Sequence, residues 1–191
     1  MKAYILLCDG FEEVEALATA DILSRAGVEA VLVSPYGAEY VTGSHGINVR
    51  AGRGFSASDV YDAAEFGDAD AVILPGGKLG TDHLRASTAV RDMILAYAAA
   101  GRLVAAICAA PTVLGAAGLL KNRRCTCYPG CEAGLGSEAV FVGGPAVTDG
   151  HIITGKSMGC SVDFALAIVT YLMGRECADR VEEGICRNYD L

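Results

Sequence analysis

A cysteine at the junction between an apolar strand and a helix can act as a nucleophile. Residues 103–112, Leu-Val-Ala-Ala-Ile-Cys-Ala-Ala-Pro-Thr, put Cys108 at such a junction. Small residues on both sides suit a tight strand-to-helix turn, and Pro111 suits a first helical turn. A thiol placed there feels the positive end of the helix and gains backbone N–H donors, both of which favour the thiolate. The same stretch describes a buried structural cysteine equally well, the common fate of cysteine in an apolar run.

Two more loops carry residue types such a thiol would use. In Ile73-Leu74-Pro75-Gly76-Gly77-Lys78-Leu79-Gly80, the paired glycines let the backbone approach a ligand and point N–H groups inward, as an oxyanion hole requires. It is no phosphate-binding loop, because the spacing and the Lys-Ser/Thr pair are absent; an ordinary turn would read the same way. The other loop, Asp9-Gly10-Phe11-Glu12-Glu13-Val14-Glu15, joins a strand to a helix. Glu12 and Glu13 fit acids that complement a helix N-terminus. Glu15 has Ala18, Thr19 and Ile22 at three, four and seven residues on, none of them a cation. Facing a sheet there, its carboxyl would be desolvated without an ion-pair partner and would favour the neutral form. A neutral carboxylic acid can donate a hydrogen bond to a thiolate and can shuttle protons.

The elements that must hold these loops alternate. Strands are predicted at Ala3–Cys8, Glu29–Ser34, Ala71–Leu74, Leu103–Ile107, more weakly near Arg124–Cys127, and at His151–Thr154. Helices are predicted at Glu12–Ala26, Ser87–Ala100, Pro111–Ala117, Cys160–Met173 and Glu176–Cys186. Ser87 suits an N-cap, and Gly27, Gly101 and Gly174 sit where helices should stop. Two extended pieces between Glu39 and Arg50 flank Gly43-Ser44-His45-Gly46 and predict a hairpin outside the main sheet. Alternation of this kind is the signature of a parallel sheet covered on both faces, with ligands gathering at the carboxyl ends of its strands. With no long linker, repeat or low-complexity tract, residues 1–191 read as a single domain.

Composition narrows the partners. A net charge of −8 and a pI near 4.8 argue against electrostatic binding to nucleic acid or anionic membranes, and Lys121-Asn122-Arg123-Arg124 reads as a solvated turn. The hydrophobic fraction of 52% and mean hydropathy of +0.37 are high. Even so, stretches such as Leu103–Ala110 and Phe164–Met173 fall short of the roughly twenty apolar residues a membrane span needs. The N-terminal apolar run ends at Asp9 without a cleavage pattern, so it reads as a buried first strand and the expected location is cytoplasmic. Among the eight cysteines, Cys125, Cys127 and Cys131 form a C-x-C-x3-C group. That is not a standard zinc spacing, and no metal is expected; in a strand, Cys125 and Cys127 would share one buried face.

Taken together, Asp9–Glu15, Leu74-Pro75-Gly76-Gly77, Ala105-Ala106-Ile107-Cys108-Ala109-Ala110-Pro111 and Asp163-Phe164-Ala165-Leu166-Ala167-Ile168 resemble the DJ-one branch of the ThiJ/PfpI superfamily over nearly the whole chain. The resemblance implies a flavodoxin-like three-layer α/β sandwich with a mostly parallel sheet, like class I glutamine amidotransferases, that usually forms homodimers. It implies that Cys108 is the nucleophile or redox-active thiol, that Glu15 is its partner acid, and that backbone amides at Gly76, Gly77 and Ala109 are oxyanion donors. Where many members place a histidine near the cysteine, this chain has Tyr128, which can orient a substrate oxygen but is a poor base at neutral pH. Arg25 and His45 fall where relatives carry a pair of arginines near the dimer interface and the oxidised cysteine. His45 would be a pH-dependent anion contact. His83 and His151 lie outside these motifs and read as surface residues.

Two functions are then expected. One is cofactor-independent attack of Cys108 on small α-oxoaldehydes such as methylglyoxal, or on their glycation adducts, with Glu15 moving the proton. The alternative is a redox sensor or stress-protective chaperone that uses oxidation of the same cysteine. A peptidase or amidotransferase is less favoured, since members with that triad often carry histidine directly after the cysteine and Ala109 stands there. Nothing specifies a thiazole phosphate, and a transcription factor would need an appended DNA-binding module.

Overall fold

The computed structural model describes residues 1–55 and 60–187. Its strands are β1 (Lys2–Leu6), β2 (Glu29–Ser34), β3 (Tyr40–Thr42), β4 (Asn48–Arg50), β5 (Arg53–Gly54), β6 (Ala71–Leu74), β7 (Leu103–Ile107), β8 (Arg124–Cys125), β9 (Val140–Phe141), β10 (Ala146–Asp149) and β11 (Ile152–Gly155). The α-helices are α1 (Glu13–Arg25), α2 (Ala63–Phe66), α3 (Lys78–Ala86), α4 (Thr88–Ala99), α5 (Pro111–Ala116), α6 (Ser161–Met173) and α7 (Arg175–Gly184). Among the described residues, seven strands form one sheet in the order β10-β11-β7-β6-β1-β2-β5. Every pairing is parallel except that of β10 with β11.

The period of two along each strand sorts the core into two layers. Ala3, Ile5, Ala71, Ile73, Leu103, Ala105, Ile107 and Ile153 pack with Ala16, Leu23, Phe164, Ile168 and Val181 of α1, α6 and α7. Tyr4, Leu6, Val72, Leu74, Val104, Ala106 and Ile152 pack with Phe66, Leu84, Met93, Ile94 and Leu114 of α2 to α5. Helices on both faces of a mostly parallel sheet make the flavodoxin-like sandwich expected from the sequence.

Several elements differ from the sequence reading, among them the short β5, α2 and β9, which it did not contain. The weak strand near Arg124–Cys127 shortens to β8 and leaves the main sheet to pair with β9. Helix α3 is additional. Its interior Gly80 has poor helix propensity, but a Cβ there would meet Phe11 backbone atoms at 2.7 and 2.8 Å, so packing decides. Strand β10 is an antiparallel edge too short to read from Ala146-Val147-Thr148-Asp149 alone. The predicted hairpin forms as β3–β4, with Val41 opposite Val49. It is pinned to the first loop by Gly10 N–H donating to Thr42 C=O (2.7 Å) and Thr42 N–H donating to Asp9 Oδ1 (2.8 Å).

From β1 the chain passes to β2 on one side of the sheet and later to β6 on the other. The switch point therefore lies between β1 and β6, where α/β sheets open a crevice. The loops after β1, β6, β7 and β11 meet there.

Candidate active site

At the end of β7 the chain turns sharply at Cys108, whose φ is +66°, a left-handed conformation uncommon for a residue with a Cβ. Backbone hydrogen bonds to β11 and to the turn after β8 hold the bend. Cys108 N–H donates to Gly155 C=O (3.0 Å), and Cys108 C=O accepts from Tyr128 N–H (2.8 Å). Pro111 opens α5 as expected, but that helix is only six residues long. The field on the sulfur comes less from a helix dipole than from two individual amides, Ala109 N–H and Gly77 N–H, both of which favour the thiolate.

Glu15 lies in the first turn of α1 and is 1% exposed. Its Oε2 accepts a hydrogen bond from Gly76 N–H at 2.7 Å. This corrects the sequence expectation for Gly76: its amide is committed to the carboxyl, so of the three expected oxyanion donors Gly77 and Ala109 are the ones aimed at the sulfur. Gly76 itself is required by space, since a Cβ would sit 2.6 Å from both Cys108 Cβ and Glu15 Oε2.

The other carboxyl oxygen, Oε1, is buried with no conventional partner among the described residues. The Cys108 side chain, however, lies in hydrogen-bonding relation to the carboxyl. A proton on the Glu15 carboxyl lets it donate to the sulfur. Burial, with no cation to offset it, raises the Glu15 pKa to about 7, against smaller lowering effects of Gly76 N–H and Cys108. Burial also pushes the Cys108 thiol up to about 12, to which the Glu15 charge and hydrogen bond add. The last two contributions exist only while Glu15 carries the charge. Both groups are pushed toward their neutral forms, the carboxyl well above an ordinary glutamate. The free thiolate expected from the sequence is thus conditional on Glu15 being neutral.

Cys108 and Glu15 open onto a cavity of ≈ 670 Å³ whose walls include Glu12, Gly77, Ala109 and Tyr128. The sulfur is not sealed in hydrocarbon, and the carboxyl does not face solvent. Tyr128 is 49% exposed at the mouth, held there by a turn through Pro129-Gly130 to Cys131. Sequence reasoning missed Lys78 and the segment Ser157–Gly159, which also line the cavity. Both follow carboxyl ends of sheet strands, the signal that would have found them.

Arg25 and His45 do not join this site. Arg25, at the far end of α1, pairs with Asp21 at 2.6 Å and lines separate hollows beside α7. His45 is on the hairpin, where its Nδ1 lies 2.8 Å from Glu13 Oε2 and 3.9 Å from Glu12 Oε2. Glu13 also accepts from His45 N–H at 2.7 Å and from Ser44 Oγ at 3.0 Å. Burial would raise the Glu13 pKa, but these donors hold it down at about 2; the same contacts, with the nearby Glu12 charge, raise that of His45. Besides standing as an acid in the first turn of α1, as the sequence reading has it, Glu13 ties the hairpin to that helix. His83 and His151 are half-buried rather than fully on the surface, and His83 Nδ1 lies 2.9 Å from Asp9 O.

Among the described residues, Glu12, Glu13 and His45 are the group that could bring metal-ligating atoms within 4.8 Å of one another; the Cys125/Cys127/Cys131 group does not. Cys125 and Cys127 are buried as small hydrophobes, while Cys131 reaches the cavity. Among the described residues, no helix is long and apolar enough to cross a membrane.

A parallel α/β sandwich with a left-handed cysteine at a strand-to-helix turn and a buried acid beside it defines a class of elbow-cysteine proteins. The DJ-1/PfpI family profile matches residues 1–171. Protein dj-1beta of Drosophila melanogaster is 33% identical over 99% of this chain and 98% of its own length. The crystal structure of a DJ-1 superfamily protein from Salmonella typhimurium is 35% identical, with a TM-score of 0.88 over 98% of this chain and 99% of the other. A Pyrococcus abyssi protein named a deglycase is 32% identical over 83% of this chain and 92% of its own length. The chain belongs to the DJ-1/PfpI family.

Proposed function

We propose that this chain is a cofactor-independent enzyme acting on small α-oxoaldehydes or their glycation adducts, with Cys108 as nucleophile and Glu15 as proton carrier. The observation that carries this reading is the half-buried thiol beside a buried, cation-free carboxyl on the wall of an open cavity. The sulfur adds to the aldehyde carbon to give a hemithioacetal, and the proton released returns to the new hydroxyl. Glu15 then moves the proton from that carbon to its neighbour, turning the hemithioacetal into a thioester. Water cleaves the thioester to a 2-hydroxy acid and the free thiol. Gly77 and Ala109 N–H groups stabilise charge beside the sulfur. The deglycase name of the archaeal relative supports the substrate class.

Incubating the purified protein with methylglyoxal and measuring D- and L-lactate tests this reading. Lactate should form with the wild type and not with Cys108→Ala; a wild type as inert as that variant refutes the proposal.

The same reading takes residues 1–191 as one domain and the protein as a homodimer. Val14 and Leu17 on α1 and Tyr40 and Ile47 on the hairpin are large apolar side chains left 37% or more exposed, a surface suited to a second copy; sedimentation should give twice the 19.7 kDa chain mass. Eight free thiols suit the reducing cytoplasm.

A further inference from the structure

The cavity around Cys108 has two unlike sides, and the strand order sets them apart. In the run β11-β7-β6-β1, the elbow after β7 lies between the loop after β11 and the loops after β6 and β1. The charged wall residues Glu12, Glu15 and Lys78 all stand on the β6–β1 side, with Gly77. The opposite side is built by two segments bonded to the elbow itself. Cys108 N–H donates to Gly155 C=O at 3.0 Å, shortly before Met158, and Cys108 C=O accepts from Tyr128 N–H at 2.8 Å. Thr126 N–H donates to Thr154 Oγ1 at 2.9 Å, which seats the chain leading to Tyr128 beside β11. Among the described residues, neither segment adds a charge to the cavity wall. What they present is Tyr128 and Met158, each 49% exposed.

A carbonyl compound bonded to the sulfur must turn its oxygens toward the acid and amides that act on them, which leaves its substituent the Tyr128 and Met158 side. The methyl of methylglyoxal fills little of that space. A cavity of ≈ 670 Å³ falls in the range, roughly 300–1,000 Å³, of pockets that enclose much larger ligands. A carboxylate or phosphate substituent would lose water there and meet no cation. An aromatic ring suits both groups: Tyr128 offers a ring for offset or edge-on contact, and Met158 a polarisable thioether that adapts to an aromatic neighbour. We propose that Tyr128 and Met158 form a subsite for an aromatic ring carried by the carbonyl compounds that Cys108 attacks. The assignment deepens the oxoaldehyde reading and rests on it for turnover, but the subsite itself is read without turnover.

The test is alkylation of Cys108 by phenacyl bromide and by bromoacetone, two α-haloketones that differ only in phenyl against methyl. In both, the sulfur displaces bromide. Each rate, followed at Cys108 by peptide mapping, is divided by that of free N-acetylcysteine. The corrected rates should favour phenacyl bromide by about tenfold. Tyr128→Ser and Met158→Ser should each cut that preference by roughly threefold, while Met158→Leu, close in volume, should keep most of it. Both side chains are half exposed, so replacing them leaves the core packed. A corrected ratio near one in the wild type, or a preference that survives both serine variants, overturns the inference. In turnover, kcat/KM for phenylglyoxal to mandelate should exceed that for methylglyoxal to lactate by about tenfold, and the same two variants should narrow the gap. Lactate formed with no preference for phenyl refutes the subsite alone. Neither acid formed, with the phenacyl preference intact, refutes the enzyme reading and leaves the subsite standing.

Discussion

Glu13 and Glu15 stand two residues apart in the first turn of one helix, both almost fully buried, yet they titrate at opposite ends of the carboxylate range. Glu13 is held at about 2 and Glu15 is raised to about 7. Burial disfavours charge at both positions, so burial does not decide. Partners do. Glu13 faces the hairpin, where His45 N–H, the His45 ring and Ser44 Oγ all address its oxygens. Glu15 faces the sheet, where one backbone amide and one thiol are the groups that address its carboxyl. One turn of helix thus carries a structural anion and a chemical acid, sorted by the direction each side chain takes.

The comparison can be broken hardest at Gly76, the residue that admits the Glu15 carboxyl. Gly76→Ala forces a Cβ to 2.6 Å from Cys108 Cβ and Glu15 Oε2. It should cost about 3 kcal/mol in urea unfolding and at least a hundredfold, roughly, in lactate production, while the His45 chemical shifts on the Glu13 side stay put.

Glu15→Gln separates charge from shape. Lactate production should fall by about 100-fold or more. Stability should move the other way at alkaline pH. The folded pKa of about 7 lies above the ordinary 4.5, so the protonated form is the stabilising one. Its contribution is complete below about pH 4.5 and is lost as pH rises through 7. Glutamine cannot ionise, so the variant should exceed the wild type by up to roughly 3 kcal/mol at pH 8, with the gap closing toward pH 4. Paired urea titrations read this directly, and equal pH profiles would remove Glu15 from its assigned environment.

On the other side, Glu13→Gln should destabilise by about 2 kcal/mol near pH 6, because charge-assisted bonds to the hairpin are lost. The sign is opposite to that of Glu15. The folded pKa of about 2 lies below the ordinary 4.5, so the contribution is present above about pH 4.5 and disappears as pH falls through 2. The His45 pKa, followed by NMR, should drop toward its ordinary value in the variant. Tyr128→Phe, at the cavity mouth and outside both clusters, should shift unfolding by less than about 0.5 kcal/mol and leave both pH profiles unchanged.

Much of this was legible in the residues themselves. Strands buried on both faces read as continuous apolar runs, so β6 and β7 fall where Ala71–Leu74 and Leu103–Ile107 predicted, and the more exposed β2 matches Glu29–Ser34. The raised pKa of Glu15 followed from a carboxyl facing the sheet with no cation at helical spacing. What did not read through was anything decided by which group arrives at a shared donor or acceptor. Gly76 looked like an oxyanion donor because its neighbour does serve the sulfur; only the path of the Glu15 side chain shows that its amide is taken. Glu13 and His45 are 32 residues apart, and nothing local announces that a hairpin folds back onto the helix start. Arg25 and His45 were placed by resemblance alone, and within this chain neither reaches the cavity.

The bend at Cys108 carries one more implication. At φ +66° a glycine would rest more easily than any side chain, by about 1 kcal/mol. A search for sturdier variants would therefore drift toward Cys108→Gly and reward it, while discarding the sulfur. At this one position, ranking by melting temperature and ranking by chemistry run in opposite directions.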